Sequence, residues 1–115
     1  MRFVVLGVGA IGGVVAGHLA RAGFDVVAIA RGAHLDAIRA RGLRVETPRD
    51  TFVAHVAVVD DSLRVSWTPD DVVLLAVKTQ DAAAAMRHVP AHVPVVCLTN
   101  GIEAERIAAR QVSTV

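Results

Sequence analysis

The stretch FVVLGVGAIGGVVAG, residues 3–17, decides how the rest of the chain is read. Five glycines interrupt an otherwise apolar run there. Before them, RFVVL (residues 2–6) is short, β-branched and apolar without alternation, the pattern of a strand covered on both faces. After them, Ala10 to Arg21 carries Ile11, Val15 and Leu19 at intervals of four, which predicts a helix with one apolar stripe. Gly23 closes that helix as a C-terminal cap would. DVVAIA (residues 25–30) reads as a second buried strand. Strand, glycine turn, helix and strand within about 30 residues make a βαβ unit. The same run also shares features with a secretion signal, because Met1 and Arg2 precede 18 residues without a formal charge, Phe3 to Ala20 with His18 neutral. The glycines argue against that reading, since they break any continuous apolar helix. No small-x-small cleavage site is followed by a change of composition, and another strand-like segment comes almost directly after.

Working outward, 115 residues suffice for one domain and not two. The chain is 54% hydrophobic with 3% aromatics, and its mean hydropathy is +0.52. Ala, Val and Gly carry that apolarity, as expected for buried strands and close helix packing. Apolar surface left over from such a small domain calls for an oligomer or a further domain. The formal net charge is +1, with 12 basic and 11 acidic residues and no basic stripe, so a nucleic-acid partner is not expected. Neither is a membrane. A single cysteine, Cys97, excludes an internal disulfide and fits a reducing, cytoplasmic setting, where it reads as a small buried residue. No metal site is expected either: only His88 and His92 have a ligand-like spacing, and Pro90 between them disrupts the helix that would align them.

Further along, residues 32–42 read as a short helix. LRVET (43–47) and TFVAHVAVV (51–59) flank the turn residues Pro48, Arg49 and Asp50, which predicts a β-hairpin or a pair of antiparallel edge strands. Residues 60–71 form a polar loop with Trp67 and two Asp-Asp pairs. VVLLAV (72–77) is a third buried strand, 79–88 a helix, VVCLT (95–99) a fourth strand, and 102 to about 111 a last helix. Repeated βα units predict an α/β, Rossmann-like parallel sheet with helices on both faces and a β-hairpin insertion. Ligands of such sheets lie beyond the carboxyl ends of the strands. The glycine loop, Arg31, Lys78 and Asn100-Gly101 each follow one of the four buried strands, so all four converge there.

Gly7-x-Gly9-x-x-Gly12 has the spacing and the setting of a dinucleotide fingerprint, after a strand and opening a helix. Gly7 allows the tight turn, Gly9 lets a pyrophosphate approach the backbone, and Gly12 lets helix and strand pack closely. The helix N-terminus adds free N–H groups and a positive dipole end. NAD binders place an acid at the end of the second strand for the ribose 2′-hydroxyl. Here that segment reads AIARGAH, with Arg31 and no acid until Asp36. An arginine fork suits a 2′-phosphate, which points to NADP. Lys78 is the only lysine in the chain, and a compact ammonium at a strand's carboxyl end suits a phosphate or ribose contact or a proton transfer. For Asn100 the residues alone leave two readings open: a turn or helix cap, or an amide that reaches nicotinamide or substrate.

VLGVGAIGG, AR after the second strand, VVLLAVKTQD and LTNGIE together resemble the N-terminal domain of the ketopantoate reductase family, the 2-dehydropantoate 2-reductases. The resemblance runs over essentially the whole chain. It implies reduction of the keto acid 2-dehydropantoate to pantoate with NADPH, on the route to coenzyme A; the same residues also suit another NADP-dependent 2-keto-acid reductase or a non-catalytic dinucleotide-binding module. It implies that the loop Gly7, Val8, Gly9, Ala10, Ile11 and Gly12 binds the cofactor and that Arg31 takes the 2′-phosphate. Lys78 and Asn100 would contact cofactor near the reacting ring, and Asn100 would also hold substrate. Family members are two to three times as long, and their second, helical domain supplies the proton-donating lysine. No catalytic residue is therefore expected within residues 1–115, and this chain alone should be inactive. Among the remaining polar residues, His18 reads as a packing or surface residue and Trp67 as a cover for the hairpin. Asp60, Asp61, Asp70 and Asp71 read as solvated turn residues.

Overall fold

The computed structural model describes residues 1–98, 102–112 and 114–115. Five parallel strands form the main sheet: β1 (Arg2–Leu6), β2 (Asp25–Ile29), β5 (Ala57–Val59), β6 (Asp71–Leu75) and β7 (Val95–Cys97), in the spatial order β5-β2-β1-β6-β7. A separate antiparallel pair joins β3 (Leu43–Glu46) to β4 (Thr51–Ala54). The helices are α1 (Ala10–Arg21), α2 (Gly32–Arg41), α3 (Thr79–Met86) and α4 (Ile102–Ala109).

The alternation of side chains along each central strand builds two cores. Val4, Leu6, Val73, Leu75 and Val95 face one side, where Ala82 and Met86 of α3 and Ala108 of α4 cover them. Val5, Val26, Ala28 and Leu74 face the other, against Ala16 of α1, Ile38 of α2 and the hairpin residues Leu43 and Val45. Each fully buried Val or Leu contributes about 1.5–3 kcal/mol, and the strands have no polar face. The uninterrupted apolar strands of the sequence are thus the strands sandwiched between helices. Gln111 closes the end of α3, its Nε2 donating to the carbonyls of Met86 and Val89.

Three expectations are corrected. The run 51–59 is not one hairpin strand. It breaks at His55 and Val56, so that β4 pairs antiparallel with β3 while β5 pairs parallel with β2 at the edge of the main sheet. Of the stripe Ile11, Val15 and Leu19, only Ile11 turns away from the core, while Val15 and Leu19 pack against it partly buried. Ile11 is 54% exposed, and the buried face is Gly12, Gly13, Ala16 and Gly17. A side chain at Gly17 would overlap Val45, so the hairpin lies directly on the helix backbone. Trp67 does not cover the hairpin. It packs on the opposite core, and its Nε1 donates to the Ser62 carbonyl.

The segment 3–20 forms β1, the glycine turn and most of α1, and no helix among the described residues is long and apolar enough to cross a membrane. Gly23, at φ +95°, ends α1, with Gly23 N–H bonded to Ala20 and Phe24 N–H to Leu19. That pattern is the Schellman motif.

Candidate functional site

Register sets the site. Leu6 pairs with Ile29 and with Leu75, Ile29 with Val59, and Leu75 with Cys97. The last paired residues of all five strands therefore lie in one row. A cleft of about 300 Å³ opens there. Leu6, Gly7 and Val8 form one wall, Ile29, Ala30, Arg31 and His34 another, and Asp61 and Ser62 of the loop after β5 a third. Val77, Asp81, Ala84 and Ala85 close the side toward α3.

The glycine loop is built for close approach. Gly7 has φ +97°, the left-handed region, and a Cβ there would stand 2.7 Å from Val77 Cγ1. At Gly12 a Cβ would overlap the Gly7 carbonyl and come within 3.0 Å of Ala76 Cβ, so only glycine lets α1 sit this near the turn and Ala76. Gly9 is the opposite case: apart from its own and its two chain neighbours' atoms, nothing lies within 4 Å of where its Cβ would be. Space left open at the N-cap of a twelve-residue helix, with no side-chain cap on it, is where an incoming phosphate group meets free N–H groups. The loop therefore fits a dinucleotide pyrophosphate.

Of the residues expected from sequence, Gly7, Val8 and Arg31 are brought together in the cleft wall. Gly9, Ala10, Ile11 and Gly12 continue the loop into α1 outside that wall. Lys78 is exposed at the N-cap of α3, one residue beyond Val77. Asn100, with Gly101, lies outside the described residues. The other groups in the cleft were not anticipated: His34, Ser62, Asp61 and Asp81. The position of Asp61 at a strand's carboxyl end follows only from the pairing of residues 57–59 with β2, which the sequence does not signal.

Two of the supposed turn acids are structural. Asp61 is half-buried, and its Oδ1 accepts from the N–H of Leu63 at 3.1 Å, capping the 3-10 turn Ser62–Arg64. That bond, aided by the nearby charges of His88 and Arg31, outweighs desolvation and holds the carboxyl below its ordinary pKa. Asp71 is 1% exposed rather than solvated. Burial works against its ionisation, but Nε and Nη2 of Arg2, each at 2.8 Å, and the Thr68 N–H at 2.7 Å outweigh it and lower its pKa. This pair ties the start of β1 to the start of β6, at the end of the sheet away from the cleft. His88 and His92 both lie beyond the end of α3. The Cys97 thiol is pushed up by partial burial and by Glu105.

Comparison with known proteins now decides the family. The family model described as ketopantoate reductase PanE/ApbA matches residues 3–115. The chain belongs to that family. It is 36% identical over 105 residues to a 2-dehydropantoate 2-reductase of Pyrococcus abyssi, covering 89% of this chain and 34% of the relative. Among solved structures, a PanE/ApbA family ketopantoate reductase from Ralstonia eutropha JMP134 superposes with TM-score 0.85 at 33% identity, over 99% of this chain and 39% of that one. A D-mandelate dehydrogenase solved with NADH and anilino(oxo)acetate also gives TM-score 0.85, at 25% identity over 97% of this chain and 37% of that one. The chain spans about a third of the length of the curated relatives it matches.

Proposed function

We propose that residues 1–115 are the NADPH-binding domain of a reductase that converts 2-dehydropantoate to pantoate. The observation that carries this is the placement of Arg31: it stands at the exit of β2, in one cleft with Gly7 and Val8, in a chain of the ketopantoate reductase family. The glycine loop holds the pyrophosphate, with Gly9 leaving it room and the start of α1 donating N–H groups. Arg31 grips the 2′-phosphate through charge-assisted bonds. Lys78, past the exit of β6, and Asn100 serve the nicotinamide end, and Asn100 also holds substrate. NADPH supplies the hydride. The domain contributes position and orientation, a large share of such catalysis.

The proton for the developing alkoxide comes from a lysine in a second, helical domain. Lys78, the only lysine here, is committed to the cofactor. The same domain, or a second copy of the chain, covers the open side of the cleft. A cytoplasmic setting goes with this reading, supported by a single cysteine in the chain. A second reading is supported by the likeness to D-mandelate dehydrogenase: an NADH-linked reductase of another 2-keto acid on the same frame.

An assay separates the two. Protein that includes the region downstream of residue 115 is mixed with NADPH or NADH and with 2-dehydropantoate or a panel of 2-keto acids, and loss of reduced cofactor is followed. Turnover of 2-dehydropantoate with NADPH is expected. Turnover of other keto acids alone, or with NADH alone, would replace this reading by the second.

A further inference from the structure

Arg31 does not stand alone at the adenosine end of the cleft. Ile29 and Val59 are partners in the register of β2 and β5, and the Ala30 N–H bonds to the Val59 carbonyl at 3.1 Å. The two strands thus end together, and Arg31 and Asp61 are each the second residue past a paired end. Both line the same cleft. They form no ion pair within 4.0 Å among the described residues, so Arg31 stays available to a ligand. Asp61 uses Oδ1 to cap the 3-10 turn, while Oδ2 has no hydrogen-bond partner among the described residues.

We propose that Asp61 is a second cofactor-selecting residue, a fixed negative charge beside Arg31 that opposes the 2′-phosphate of NADPH and offers an acceptor to the free 2′-hydroxyl of NADH. The idea rests on the dinucleotide reading of the cleft. Acids that read the ribose ordinarily sit at the end of the second strand. Here that position holds Arg31, and the acid arrives from the neighbouring strand's exit. The 3-10 turn fixes it, so its charge stays near Arg31 without neutralising it. Selectivity is a difference between two affinities, and a repulsive group acts on it as directly as an attractive one.

The test is the ratio of NADH to NADPH dissociation constants, from nicotinamide fluorescence, in the chain and in Asp61→Asn, Asp61→Glu and Arg31→Ala. Asp61→Asn keeps the capping oxygen and removes the charge, so the fold is retained. The preference for NADPH should widen about three- to tenfold, the effect of one like charge near the phosphate in a partly solvated cleft. Asp61→Glu should keep the ratio within about twofold of the parent. Arg31→Ala should bind NADH more tightly than NADPH, because the acid then acts unopposed. An unchanged ratio in Asp61→Asn, with both cofactors still bound, overturns the role of Asp61 and leaves the dinucleotide reading intact. Failure of the parent chain to bind either cofactor overturns both.

Discussion

Single residues carry opposite burdens at Gly9 and Gly12, although the fingerprint lists them together. A methyl group at Gly12 collides with backbone, whereas one at Gly9 meets nothing beyond its chain neighbours. Gly9→Ala should therefore leave stability within about 1 kcal/mol of the parent, the scale of an N-cap change. On the proposed reading it should weaken NADPH at least about tenfold, because the methyl group would fill the space left for the pyrophosphate. Urea unfolding beside a fluorescence titration checks both halves, and a variant that binds normally would show that the phosphate lies elsewhere. Arg2 and Asp71 make a second case. Arg2→Ala leaves a buried carboxylate without its main partner and should cost about 2–4 kcal/mol near neutral pH, the range for broken buried pairs reduced for the partial exposure of Arg2. The folded pKa of Asp71 is lowered, so its contribution is present above the ordinary carboxylate range and lost as pH falls through the folded value. The deficit of Arg2→Ala should thus shrink below about pH 4. Denaturation series at neutral and acid pH test this, and a gap independent of pH would contradict it. Asp71 could not be recognised as buried from its neighbours, since Pro69-Asp70-Asp71 has the composition of a turn and the decisive partner is 69 positions away.

At the scale of elements, α1 is read correctly in extent and only in part in facing. Val15 and Leu19 of its apolar stripe pack on the core partly buried, but its fully buried positions are all glycine or alanine. Gly12 meets the Gly7 carbonyl and Ala76, Gly17 meets the hairpin, and at these two close approaches there is room only for glycine, with Val15 and Leu19 packing at the margin. Gly17→Ala should destabilise the chain by about 1–3 kcal/mol through overlap with Val45, despite the better helix propensity of alanine. Chemical denaturation reads this directly. A stabilised variant would mean that the hairpin sits less closely on α1 than described. The central strands were legible because continuous apolar runs have one physical use in a small α/β domain. The division of 51–59 was not. TFVAHVAVV has no glycine or proline to mark a break, and what separates β4 from β5 is partner choice, β3 for one and β2 for the other. Missing that division also hid Asp61, whose place in the site depends on where β5 ends.

For the molecule as a whole, topology turns scattered residues into a site. Strand order β5-β2-β1-β6-β7 brings the exits of all five strands to one edge, where the glycine loop, Arg31, Asp61 and the start of α3 enclose the cleft. The glycine loop and Arg31 could be located from the sequence because motif and strand end coincide. The acid opposite Arg31 comes from packing alone. The far end of the sheet, held by Arg2 and Asp71, carries stability instead, so mutations at the two ends should separate into binding and folding effects. Cofactor discrimination by Arg31 is the quantity to measure. NADPH and NADH are titrated against the chain and against Arg31→Ala by nicotinamide fluorescence. NADPH should bind the parent roughly ten- to a hundredfold more tightly, the worth of charge-assisted bonds to the 2′-phosphate, and Arg31→Ala should lose that preference. Equal affinities in the parent, or a preference that survives the loss of Arg31, would contradict the assignment of this cleft to NADPH.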